Sequence, residues 1–491
     1  MNGALRGRAR WTAADREIVR LALPAFGALV AQPLYVLADT AVVGHLGTPE
    51  LAGLAIANTV LATLHAVFIF LAYGTTSAVA RLIGAGDHRE AAHQAVQGMW
   101  LAVALGSVLA VAGEVFAVPL VRLLGAEGAV EANALVYLRI SLLGVPATLL
   151  TFAGTGYLRG LQNTKGPLVV AIGSALFNLG FELALIYGLG FGIGASAAST
   201  VVAEWGAALV YVWWVHQAVS AHSVVLRPHA RTIRSLLVVG RDLFFRTVAL
   251  RGSLTVATAV AARIGTVDLA AHQIAFEIWS FLALALDAIA IAGQSITGLR
   301  LGAGDGPGAR EAGRRMLEWG VVAGVVAGLG VAALRGVLPD LFTDDPAVLA
   351  LAGFLLLYVA VLQPVNGAVF VLDGLLIGAG DLRFLAKAMV GGMCVFVPAA
   401  AAVLVLDLGI GWLWAAISLF MVARLVPLAW RFHGDAWVVL GRTIDGRRTF
   451  AARSTGYVTT STNTVSCERK PGALALISSV YILSTTKIPS Q

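Results

Sequence analysis

Twelve stretches of this chain are apolar over about the 20 residues that a helix needs to cross a bilayer, and nothing else in the sequence constrains its fold as strongly. They run approximately over 17–43, 51–80, 91–113, 132–155, 166–188, 194–217, 236–264, 271–299, 315–334, 350–378, 384–406 and 412–433. In hydrocarbon the backbone must satisfy its own polar groups, so each stretch is either a helix or one strand of a closed barrel. The stretches are rich in Ala, Leu and Val and lack the alternation of barrel strands, which predicts an all-α membrane protein. Hydrophobic residues are 58% of the 491 and charged residues 12%, which excludes an ordinary soluble domain.

Charge placement orients the chain. With twelve spans, the N-terminal arm, the even-to-odd connections and the stretch after the last span hold 22 Lys and Arg; the six opposite connections and the span ends beside them hold three, Arg122, Arg263 and Arg335. Such a bias predicts both termini on the cytoplasmic side of the cell membrane. The net charge of +7 therefore serves topology, and no nucleic-acid partner is expected. Arg6, Arg8 and Arg10 precede a first apolar stretch too long for a cleaved signal peptide, so it reads as a retained helix. The two cysteines, Cys394 and Cys467, give neither a disulfide framework nor metal-ligand spacing.

The chain is written twice. TAVVGHLGTPELA at 40–52 returns as TAVAARIGTVDLA at 258–270, GAGD at 84–87 returns at 302–305, and Gly160 falls on Gly378, all at a shift of 218 residues. Six spans per copy make the copies parallel repeats, with substrate expected at the seam between them. The halves are expected at 1–217 and 236–434, joined by a polar cytoplasmic linker at 218–235. Residues 435–491 read as a cytoplasmic tail, Ser- and Thr-rich and loose from about 446. GAGD lacks the Lys and Ser/Thr of a phosphate loop and fits a helix-capping turn. Pro24 and Pro33 each remove a backbone donor from the first span and mark it as one that bends.

Six carboxylates fall within the apolar spans away from their ends: Asp39, Glu182, Glu204, Glu277, Asp287 and Asp373. An ionised carboxylate at the bilayer centre costs about 2.5–3.5 kcal/mol on insertion scales, so these must face water, pair, or carry protons. The 218-residue shift sets Ala257 against Asp39, Phe396 against Asn178, Ala400 against Glu182 and Thr155 against Asp373. The acids are therefore specific to one half, not part of the shared scaffold. Asn178 and Glu182 are four apart and share a helix face; Asp39 and Thr200 come from spans that place them at similar depth. Two acids, an amide and a hydroxyl at one level make a proton or sodium site, or a buried polar cluster that stiffens the half. Glu204, Glu277, Asp287 and Asp373 are read as lining or gating a cleft, with Arg246 and Arg251 able to neutralise some of them.

Three segments resemble the multidrug and toxic compound extrusion (MATE) family, most closely its DNA-damage-inducible (DinF) branch: Pro24 followed by QPLYVLADTAVVGHLGT at 32–48, AHQI at 271–274 with DAIAIAGQS at 287–295, and QPVNGAVFVLDG at 363–374. The resemblance spans about 15–435 and implies two six-helix lobes around a V-shaped central cleft. It also implies export of organic, often cationic, compounds in exchange for protons or sodium. In similar prokaryotic exporters the first helix bends at the proline matching Pro24, and the cation site uses the positions matching Asp39, Asn178, Glu182 and Thr200. The chain departs in having Glu182 where the family more often has Asp. Of the acid pair on helices 7 and 10 in the sodium-driven branch it keeps only Asp373, which favours protons.

The expectation is a proton-driven secondary antiporter for a small organic cation, acting as a monomer in membrane lipid, without cofactor, bound metal or catalytic residues. A lipid-intermediate flippase of related architecture would need a cationic central cleft for a pyrophosphate, and the central spans are net acidic. An exporter of an organic anion or metabolite is the other alternative. A membrane enzyme would need an HExxH or Ser/His/Asp arrangement that the halves do not contain.

Overall fold

The computed structural model describes residues 12–442. Arg6, Arg8, Arg10, Cys467 and the stretch from 446 onward lie outside the described residues. Within them the chain is helical, with no strand, and has eleven helices long and apolar enough to cross a membrane, or twelve counting one bent pair as a single span. The first six spans are α1 (Ala13–Gly44), α2 (Thr48–Gly84), α3 (His88–Leu123), α4 (Gly128–Leu142 and Val145–Gly160), α5 (Lys165–Gly188) and α6 (Ile193–His222). The second six are α7 (Ala230–Ile264), α8 (Thr266–Gly302), α9 (Gly306–Leu334), α10 (Pro346–Gly378), α11 (Leu382–Val405) and α12 (Ile410–His433). They form two six-helix lobes about a V-shaped central cleft. α4 is a broken span whose halves meet at 48°.

Helix ends follow local chemistry. Thr12 opens α1 with a reciprocal capping box to Asp15. Both GAGD turns work alike: Gly86 and Gly304 take φ of +75° and +79°, a region that favours glycine, and the aspartate that follows accepts from the backbone N–H of Glu90 or Gly308 at the start of the next helix. The helices outrun the apolar stretches that announce them. α6 continues to His222 and α7 starts at Ala230, so the connection is residues 223–229 rather than 218–235. Arg231 and Arg234 are good helix formers, and hydropathy registers only the part of a helix that sits in lipid.

The 218-residue shift reappears in the packing. Gly156 lies on the Ala72 carbonyl and Gly374 on the Ala290 carbonyl; Gly106 abuts Pro146 and Gly324 abuts Pro364. Each pair is one contact made twice, in positions where small residues let helix backbones close up. This is the pseudo-twofold relation seen at atomic scale.

The lobes meet at the Lys/Arg-rich end of the bundle, called here the basic end. Gly84 of α2 lies against the Leu299 carbonyl of α8, and Gly302 of α8 against the Arg81 carbonyl of α2. The Gln294 side-chain amide donates to the Tyr73 carbonyl at 2.5 Å, Ser295 to the Arg159 carbonyl at 2.7 Å and Ser77 to the Gly378 carbonyl at 3.3 Å. α1 joins them from the side, with Asp15 accepting from Arg315 at 2.6 Å and from the Trp319 indole at 2.7 Å. These contacts lie in the basic half of the bundle, so the cleft opens toward the other end.

A strap follows α12. Trp437 is buried, stacked on Phe432 at 5.2 Å, with the Arg310 guanidinium 5.6 Å from its ring centre. The buried Arg81 then donates to the carbonyls of Val439 at 2.9 Å, Gly441 at 3.1 Å and Ala379. The Gly441 N–H donates to the Leu301 carbonyl at 2.9 Å, and Arg442 pairs with Asp87 at 2.8 Å. Residues 437–442 thus touch both lobes, and the segment expected to be all tail begins as packed structure.

Candidate functional site

The four N-lobe residues singled out in the sequence converge. Asp39 is buried near the far end of α1, Asn178 and Glu182 are one turn apart on α5, and Thr200 is on α6. The Ser196 hydroxyl donates to Asp39 Oδ1 at 2.6 Å and the Tyr137 hydroxyl approaches Asp39 Oδ2 at 3.4 Å. The Asn178 amide donates to Thr200 Oγ1 at 3.1 Å and to the Tyr35 hydroxyl oxygen at 3.3 Å, while Tyr35 and Thr200 share a hydrogen bond of 2.7 Å.

Glu182 is fully buried, and neither of its carboxylate oxygens meets a donor at hydrogen-bonding geometry. Its polar neighbours are the Asp39 carboxyl and the Ser196 hydroxyl. Asn178 Oδ1 is likewise buried without a donor. The cluster is therefore rich in acceptor oxygens and poor in donors. Two carboxyls that touch in a desolvated site cannot both remain ionised without a cation between them. Oxygen ligands of this kind suit a proton or a hard cation. No arginine, lysine or histidine pairs with either acid among the described residues. Just past Glu182 the α5 helix passes into a π-helical turn, Ala184–Gly188, a local widening that often marks functional positions.

Sequence reasoning overlooked Tyr35, Tyr137 and Ser196. Two of them were within reach of the i, i+4 rule that linked Asn178 to Glu182, since Tyr35 is four before Asp39 and Ser196 four before Thr200. Tyr137, on another span, carries no local signal.

The remaining acids part company. Glu204 of α6 places its carboxylate over Gly144, in the break of α4, beside Thr148. Its neighbour Trp205 donates to the Leu143 carbonyl at 3.1 Å, so α6 satisfies backbone groups that the break leaves free. In the C-lobe, Asp373 of α10 is clamped between Arg246 of α7 at 2.5 Å and Arg424 of α12 at 2.7 Å. Of the two arginines considered from sequence, Arg246 reaches it; Arg424 was not foreseen. Asp287 of α8 lies within electrostatic range of Arg159, Arg246 and Asp373, with Tyr73 beside it. Glu277 is exposed and belongs to neither group. Pro24 lies within α1, which continues as one helix through both Pro24 and Pro33.

Two equivalent six-span lobes with ionisable groups buried among their helices have the architecture of a membrane transporter. A MatE family model matches residues 24–183 and 243–402, two blocks of one length that repeat the duplication, and the chain belongs to that family, multidrug and toxic compound extrusion. The chain is 34% identical over 441 residues to Protein DETOXIFICATION 44, chloroplastic, of Arabidopsis thaliana, covering 84% of this chain and 81% of the relative. It is 28% identical over 431 residues to DNA damage-inducible protein F of Escherichia coli strain K12, covering 86% and 93%. A solved structure described as a MATE in the bent conformation superposes with a TM-score of 0.79 at 23% identity, covering 85% of this chain and 95% of that one.

Proposed function

We propose that this chain is a proton-driven antiporter that exports a small organic cation, with Asp39 and Glu182 as the proton carriers. The observation that carries the reading is a pair of neighbouring buried carboxyls, Asp39 bonded by Ser196 and Glu182 without a donor, that have no basic partner among the described residues. An acid that merely braced the fold would be neutralised permanently, as Asp373 is by two arginines. An acid that drives exchange has to be charged in one state and neutral in another, because a ligand shifts a two-state equilibrium only through its differential affinity for the two states.

The basic end faces the cytoplasm by the charge rule, so a cleft that is shut there is outward-facing. Protons entering from outside neutralise Asp39 and Glu182 and remove their mutual repulsion. α1, weakened at Pro24 and Pro33 by two missing backbone donors, then bends and expels the bound cation. A bent conformation described for a solved MATE supports such a motion. Return to the inward-facing state releases the protons and readmits substrate. Protons are favoured over sodium because α7 sets Arg246 against Asp373, while the acid of that helix, Asp242, is paired with Arg241.

The test is efflux of a fluorescent cationic dye from vesicles under an imposed pH gradient, comparing wild type with Asp39→Asn. Gradient-driven efflux should be lost in the variant. Equal rates would remove Asp39 from the mechanism, and wild-type efflux driven by a sodium gradient but not by a pH gradient would overturn the proton assignment.

A further inference from the structure

A groove of about 700 Å³ lies between the first turns of α9 and the end of α12, away from the acid cluster. Arg310 and Arg314 stand on its α9 wall and His433 on its α12 wall; Leu317, Val321 and Phe432 line it as well. Arg310, Arg314, Leu317 and Val321 follow at i, i+4, i+7 and i+11 and so form a single stripe down α9. At 1.5 Å per residue the stripe is about 16 Å long, basic at the end of the helix and apolar deeper down. That is about half the roughly 30 Å of a bilayer's hydrocarbon core, the depth one leaflet's acyl chain occupies.

Charge in the groove is unbalanced. Glu318 also faces it but is paired with Arg315 at 2.6 Å. Arg314 is exposed and forms no ion pair among the described residues. Arg310 is held in position by the Gly434 carbonyl at 3.1 Å, by the Asp435 carboxylate and by the Trp437 ring. Two guanidiniums with planar donor forks at a membrane boundary suit a phosphate, and a basic pocket between helices at this depth suits an anionic headgroup.

We propose that this groove is a binding site for an anionic phospholipid, its phosphate on Arg310 and Arg314 and one acyl chain along Leu317 and Val321. Asp435 already answers Arg310, so the groove's excess charge is that of Arg314, and a zwitterionic lipid carries no net charge to offset it. A free anion makes no use of the apolar stripe.

Native mass spectrometry of the full chain tests this, with phosphatidylglycerol and phosphatidylcholine of identical acyl chains supplied in equal amounts. Wild type should retain several-fold more phosphatidylglycerol. Arg314→Gln should reduce that preference to near parity, Val321→Trp should lower retention of both lipids by obstructing the stripe, and Arg122→Gln, exposed at the opposite end, should behave as wild type. Equal retention by wild type, or a preference that survives Arg314→Gln, would overturn the site. Displacement of the lipid by an equal concentration of glycerol phosphate would assign the arginines to a free anion and overturn the lipid.

Discussion

Arg81 and Leu299 occupy the same place in the two halves, and the backbone carbonyl of each meets a glycine of the other lobe, Gly302 on Arg81 and Gly84 on Leu299. The closure of the basic end is thus one contact made twice across the pseudo-twofold axis. A methyl group at either glycine would sit on a carbonyl oxygen, and overpacking of this sort costs about 1–3 kcal/mol. Gly302→Ala should therefore shift the protein toward opening at the basic end by about tenfold or more. In a cysteine-free background, Ser77→Cys reports the shift as faster thiol labelling from that side. Unchanged labelling would mean that the two backbones separate too easily for the contact to hold the closed state.

Glu182→Gln keeps the volume and removes the charge. If the acid pair drives exchange, dye efflux under a pH gradient should fall more than tenfold while dye binding to the purified protein changes less than threefold. A matched loss of binding and efflux would instead assign Glu182 to the substrate.

Asp373→Asn leaves Arg246 and Arg424 buried together without a counter-charge. Breaking a buried ion pair from one side costs about 3–5 kcal/mol, so the thermal midpoint should drop by several degrees. A variant that melts like wild type but transports nothing would move Asp373 from scaffold to mechanism.

Trp437→Ala empties the place where the strap is anchored between Phe432 and Arg310. Amide hydrogen exchange across 437–442 should accelerate at least tenfold, and Ser77→Cys should label faster in the same protein. Faster exchange with unaltered labelling would show that the strap rests on the closed lobes without helping to close them.

Much of this architecture was legible in the sequence. The apolar stretches marked twelve spans because lipid leaves a backbone few options, and the 218-residue shift named glycines that pack in matched pairs, Gly84 with Gly302 among them. Asp39, Asn178, Glu182 and Thr200 were conspicuous because polar side chains in lipid are costly. Partners brought in by tertiary packing were not legible: Arg424 reaches Asp373 from a helix 51 residues away in sequence, and Tyr137 reaches Asp39 from 98 away. The break in α4 also escaped, since Leu143 and Gly144 differ little from other apolar positions until Trp205 and Glu204 are seen against them. The strap reads as tail from the sequence because the apolar run 437–440 is far too short to span a bilayer, and composition says nothing about the carbonyls it offers to Arg81.

Residues 437–442 come after every span in the order of synthesis, and a chain made from its N-terminus folds in that order. Arg81, on the second span, waits through ten further insertions before the carbonyls of Val439 and Gly441 exist to receive its guanidinium. The nascent lobes therefore meet at the basic end first through α2, α4 and α8, and this last fastening across them is added only when the final helix is already in place.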